Sequence, residues 1–115
     1  MICRKGKHRT EARENTRGGN GKVFIEHLFE EEQTKNKTRM FSYVTLEPGA
    51  SLGYHIHENE MEYFLILRGS AKVNDNGTDS ILHPGDTMFT DEGEGHYMEA
   101  CEGEPMEYLA VIIRK

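Results

Sequence analysis

From Lys22 onward the chain is cut into short strand-like runs by turn residues at nearly regular intervals, and no other feature narrows its fold as much. The runs are Lys22–Phe29, Thr38–Leu46, Gly53–His57, Met61–Leu67, Ala71–Asn74, Asp79–Leu82, Thr87–Thr90, Gly95–Ala100 and Pro105–Ile113. Between them lie Glu47-Pro48-Gly49, Arg68-Gly69-Ser70, Asp75-Asn76-Gly77, His83-Pro84-Gly85-Asp86 and Cys101-Glu102-Gly103. Asn76-Gly77 suits a tight hairpin, because both residues tolerate the positive φ that such a turn demands. Only Glu30–Lys37 is suited to a helical turn. A chain of 115 residues is too short for two cores. A domain of this size buries roughly 65% of its unfolded surface, enough for one modest core. Many short strands around one core predict an all-β sandwich or closed barrel.

Residues 1–21 form a polar N-terminal arm, and ordered structure is expected to begin after the turn-prone Arg17-Gly18-Gly19-Asn20-Gly21. Residues 22–115 form the domain. The basic run from Arg4 to Arg17 is diluted by Thr10, Glu11 and Glu14 and reads as a solvated arm. A net charge of −6 argues against nucleic acid as a partner, since phosphate-backbone binding needs clustered Lys and Arg. Cys3 and Cys101 make neither a disulfide framework nor a C-x-x-C pair. The N-terminus has no apolar stretch of the signal-peptide kind, and no run approaches 18 apolar residues, so no membrane association is expected and a cytoplasmic location is the default.

Two strands are apolar on both faces. Tyr63-Phe64-Leu65-Ile66-Leu67 is one, and in the last run Tyr108, Ala110 and Ile112 oppose Leu109, Val111 and Ile113. One face in a thin barrel reaches the outside, so a homodimer is expected to cover it, the alternative cover being the N-terminal strand or arm of the same subunit.

The chemistry concentrates between residues 49 and 100. His55 and His57 are two apart on a strand and therefore share a face, which supplies two imidazoles to one metal ion. Glu62 opens the next apolar run and can add a hard oxygen ligand. Glu58 and Glu60 compete for that role but more naturally solvate the turn. His96 begins a later strand, and if that strand pairs with the first it completes the set from the opposite side. Three imidazoles and one carboxylate leave two cis positions open on a six-coordinate divalent ion: manganese, iron, nickel, cobalt, or zinc with fewer added ligands. His8 reads as part of the arm, His27 as a strand or interface residue, and His83 as part of the turn before Pro84.

The spacing Gly49-x5-His55-x-His57-x4-Glu62-x6-Gly69 resembles the first cupin motif at every defined position. The spacing Gly85-x5-Asp91-x-Gly93-x2-His96-x3-Ala100 is similar to the second, with Asp91 where proline is usual and Ala100 where asparagine is usual; neither departure removes a ligand. The resemblance implies a cupin jelly-roll barrel, or double-stranded β-helix, with a metal held by His55, His57, Glu62 and His96. It is to short, single-domain bacterial cupins, some of which look like isolated halves of oxalate decarboxylases.

Cupins share a barrel and a metal site while catalysing different reactions, so activity is less constrained than fold. The leading expectation is a metal-dependent enzyme acting on a small oxygenated carboxylic acid, by oxalate-type decarboxylation or oxygenase chemistry. Decarboxylation also needs a nearby proton donor; Glu58 and Glu60 flank the site but read as exposed turn carboxylates. The alternative is a non-catalytic module that binds or senses a small ligand. A cupin-type sugar isomerase or epimerase ranks third, because interior-facing basic residues are hard to find and Arg68 and Lys72 lie at strand ends or turns.

Overall fold

The computed structural model describes residues 1–115. Ten strands form it: β1 (Arg9–Glu14), β2 (Lys22–His27), β3 (Thr38–Leu46), β4 (Ser51–Ile56), β5 (Glu60–Arg68), β6 (Ala71–Asp75), β7 (Thr78–Leu82), β8 (Thr87–Thr90), β9 (Gly95–Ala100) and β10 (Met106–Arg114). They make two antiparallel sheets, one ordered β1-β2-β3-β10-β5-β8 and the other β4-β9-β6-β7. This is the jelly-roll barrel expected from the sequence. No helix is long and apolar enough to cross a membrane.

Period-two alternation builds the interior. Along β10, Met106, Tyr108, Ala110 and Ile112 are buried, whereas Leu109, Val111 and Ile113 on the opposite face are only partly covered. Val44 and Leu46 from β3, Phe64 and Ile66 from β5, and Val73 and Met98 from the smaller sheet meet Met106, Tyr108 and Ala110 in one cluster. Each such side chain contributes roughly 1.5–3 kcal/mol by leaving water. The hairpin between β6 and β7 turns at Asn76 and Gly77, whose φ values of 47° and 102° are the positive angles that the sequence demanded.

The N-terminal segment departs from expectation. Ordered structure does not wait for residue 22, because Arg9–Glu14 pairs antiparallel with β2, Glu11 lying opposite Ile25 and Arg13 opposite Val23. Alternating charge hid this strand. An edge strand needs no apolar outer face, since backbone pairing holds it and charged side chains protect its open side. The segment then passes through a short 3-10 turn, Thr16–Gly18, and crosses β4. Residues 30–37 form consecutive turns closed by i→i+3 backbone bonds, among them Gln33 to Glu30 and Thr34 to Glu31, without a regular helix. Because β1 occupies one edge of the larger sheet and β5 and β8 the other, the arm does not cover the outer face of β10.

Candidate metal centre

Strand pairing assembles the four residues singled out by spacing. β4 and β9 pair with His55 directly opposite His96. His57 lies just beyond β4, its amide donating to the Glu94 carbonyl at 3.0 Å, and Glu62 projects inward from the third position of β5. His57 and His96 are each 1% exposed and Glu62 6%, while His55 is half-buried. One ligand atom from each residue falls within a group no wider than 4.8 Å.

The outer nitrogen of each ring is already occupied, and that decides which nitrogen faces inward. His55 Nδ1 donates to the Gly53 carbonyl at 2.8 Å, and His57 Nδ1 donates to Glu60 Oε1 at 2.9 Å. His96 Nδ1 is hydrogen-bonded to Thr90 Oγ1 at 2.7 Å. The three Nε2 atoms converge: His96 Nε2 is 3.2 Å from both His55 Nε2 and His57 Nε2, and Glu62 Oε1 is 2.8 Å from His57 Nε2 and 3.3 Å from His96 Nε2. Three imidazole nitrogens and a carboxylate gathered this closely away from water call for positive charge among them, as protons or as a metal ion. A divalent metal ion meets that demand with the nitrogen and oxygen donors it prefers, so the residues fit the group that the sequence implied.

The pKa directions record the same demand for positive charge, which a proton shared between His57 and Glu62 also answers. Burial alone would lower His57, but hydrogen bonds to Glu62 and then Glu60 raise it above its ordinary value. Burial would raise Glu62, yet hydrogen bonds from His57 and His96 hold it below the usual carboxylate range. His55 is lowered chiefly by burial, the bond to Gly53 opposing and the other two histidines adding to the effect.

Glu60 is where the sequence reading is corrected. Instead of solvating the turn, it begins β5 and bridges two groups: Arg39 binds it in a fork, Nε to Oε2 at 2.7 Å and Nη2 to Oε1 at 2.9 Å, and the same Oε1 accepts from His57. Its pKa falls to about 2, first through the Arg39 hydrogen bonds and also through His57, against the opposing effect of burial. Glu60 is thus a fixed anion that orients the His57 ring, in the position a carboxylate commonly takes behind a metal-bound histidine. Glu58 remains exposed on the turn, as expected.

Basic residues border the site from its solvent side, a placement that the sequence did not reveal. A cavity of about 70 Å³ runs past His55, His57 and Glu62, and Arg13, Arg17 and Arg39 help to line it. At roughly 10–15 Å³ per water, it holds a few waters or one small acid. Tyr108 lines it too, its hydroxyl pKa pushed well above the usual value by burial and then by the Glu62 charge, so the phenol stays protonated. The period-two pattern put Tyr108 on the same face as Ala110 and Ile112; nothing in the sequence set it against the histidines. Elsewhere, His27 is buried against Ser42 at 3.1 Å, His8 contacts Glu26 at 2.9 Å, and His83 is exposed in its turn; none joins the cluster.

Fold and site together define the class, and the sequence comparison agrees: residues 42–112 match the Cupin_2 family, described as the cupin domain, so the chain belongs to the cupins. It is 42% identical over 113 residues to the oxalate-binding protein of Thermotoga maritima, covering 98% of this chain and 93% of that one. A crystal structure of a "predicted oxalate decarboxylase" from Thermotoga maritima superposes with a TM-score of 0.94 at 42% identity, covering all of both chains. The oxalate decarboxylase of Bacillus subtilis is 29% identical over 82 residues, which is 67% of this chain but 21% of that enzyme. The cupin domain of Schizosaccharomyces pombe Cnp3 shares the fold, with a TM-score of 0.74 at 15% identity over 91% of this chain and 69% of the other.

Proposed function

We propose that His55, His57, Glu62 and His96 hold one divalent transition-metal ion, manganese, iron, nickel, cobalt or zinc, and that the centre takes a small oxygenated carboxylic acid such as oxalate. The observation that carries this reading is the convergence of three Nε2 atoms and one carboxylate oxygen at the end of a small, arginine-lined cavity. The 42% identical oxalate-binding relative supports the ligand class. When bound, the ion supplies Lewis acidity, or with O2 a redox centre, to a coordinated acid.

The surrounding residues divide the remaining work. Glu60 and Arg39 fix the ring of His57, and Thr90 fixes that of His96. Leu52, Met40 and Ile112 keep one wall of the cavity apolar, which strengthens every electrostatic contact inside it. Tyr108 stays protonated and offers a hydrogen-bond donor to an anion. Glu60, held as an anion, does not serve as the acid in a decarboxylation.

The enzymatic form of the reading is oxalate-type decarboxylation or oxygenase chemistry. In the former the C–C bond of monoprotonated oxalate breaks, carbon dioxide leaves, and the remaining carbon takes up the proton to give formate. Binding without turnover is the second reading, favoured by the name of the Thermotoga relative and by the commitment of Glu60 to Arg39 and His57. Incubating manganese-loaded protein with oxalate under air, and following formate, oxygen and thermal stabilisation together, separates them. Formate release or oxygen uptake supports the enzyme, and stabilisation alone supports the binder. Stoichiometric metal with no response to oxalate contradicts both.

We also propose a homodimer through the outer face of the larger sheet. Tyr63 and Phe89 are 39% and 48% exposed there, beside partly covered Leu65, Leu109 and Val111, and no element of the subunit lies over them.

A further inference from the structure

The N-terminal segment reaches the metal pocket by a specific route. After pairing with β2, the chain turns at Asn15 and Arg17, both left-handed with φ of 52° and 55°, and then presses its backbone onto β4. The contact is too close for side chains: a Cβ on Gly53 would stand 1.9 Å from the Arg17 carbonyl oxygen, and one on Gly19 2.2 Å from the Ser51 carbonyl oxygen. β4 is the strand that carries His55, so two glycines fix Arg17 relative to a member of the cluster.

Charge in the cavity is unevenly matched. Arg39 is neutralised by its two-bond fork to Glu60, and Arg13 by Glu11. Arg17 lines the same cavity without a carboxylate partner. A divalent ion against Glu62 leaves one unit of positive charge at the cluster, and Arg17 adds a second at the mouth. A monoanion satisfies only half of this; a small dianion satisfies it all, in a protein whose net charge of −6 otherwise repels anions.

We propose that Arg17 is a specificity residue, placed by the N-terminal segment to receive the outward-facing oxygens of a short dicarboxylate held at the histidine and glutamate cluster. Its planar fork matches two carboxylate oxygens, which a lysine does not reproduce. The inference rests on the metal and small-acid reading given above.

Calorimetric titration of manganese-loaded protein with oxalate, and in parallel with glycolate, tests it. Glycolate offers a similar pair of chelating oxygens with one charge fewer. In Arg17→Gln, oxalate affinity should fall about tenfold while glycolate affinity stays within about twofold, with metal content unchanged. Arg17→Lys should recover only part of the loss. Equal effects on the two acids, or none, would overturn the role of Arg17 while leaving the metal and small-acid reading intact. Failure of the unmutated, metal-loaded protein to bind either acid would overturn that reading and this inference with it. Arg17 is exposed, so thermal unfolding of the metal-free variants should be unchanged, which separates a loss of affinity from a loss of folding.

Discussion

Replacing Glu60 by alanine tests how the chain itself holds the centre. The change removes three contacts at once: two from Arg39, at 2.7 and 2.9 Å, and one from His57 Nδ1 at 2.9 Å. Two consequences follow, with separable sizes. Without its anion the His57 ring loses both its fixed tautomer and its orientation, and loss of such a partner typically weakens metal binding 10–100-fold, or about 1.4–2.8 kcal/mol. The metal-free protein should lose about 2 kcal/mol as well, because a charge-assisted pair is broken while the Arg39 side chain, 36% exposed, recovers some hydration. For a domain of this length that is a fall of about 8 °C in Tm. Competition with a chelator of known affinity reads the first quantity, and thermal unfolding after exhaustive chelation reads the second. Glu58→Ala, on the exposed turn, serves as the control and should move neither. If Glu60→Ala binds metal within twofold of the unmutated protein, the orienting role assigned to Glu60 is wrong.

Other consequences are open to measurement. Ile66 is 1% exposed in the centre of the core, so Ile66→Ala should cost about 3 kcal/mol in denaturant unfolding, and a loss below about 1 kcal/mol would contradict the packing described. Tyr43 donates to Glu107 at 2.5 Å, and burial followed by that bond pushes its pKa up to about 12. A raised folded-state value stabilises fully below the unfolded pKa of about 10. The stability gap between the protein and Tyr43→Phe should therefore be constant below about pH 10 and close as the pH rises toward about 12. Paired charges at Leu109→Glu and Val111→Glu should convert a dimer to a monomer in sedimentation velocity; an unchanged sedimentation coefficient would place any interface elsewhere.

The sequence carried the parts of this molecule that depend on local rules. Alternation along Met106–Arg114 and the Asn76-Gly77 turn are written in neighbouring residues, and so is the shared face of His55 and His57. The position of His96 opposite His55 was conditional on one pairing, and that pairing exists. What remained hidden is non-local. Glu60 looked like any turn carboxylate because Arg39, 21 residues earlier, gives it its meaning. The strand Arg9–Glu14 has no apolar face to announce it and exists because β2 offers an unpaired edge. That strand carries Arg13, and the turn after it carries Arg17, to the mouth of the cavity, where no periodic signal placed them. A left-handed Arg17 between two polar neighbours leaves no periodic trace.

Everything proposed for this site depends on one ion shared by His55, His57, Glu62 and His96. Anomalous diffraction above and below the absorption edge of the metal found by elemental analysis, on crystals of protein purified without chelator, tests it most directly. The account predicts one peak per chain, about 2.0–2.3 Å from the Nε2 atoms of His55, His57 and His96 and from a Glu62 carboxylate oxygen. A chain free of metal after such a purification, or a peak at any other set of residues, would contradict it.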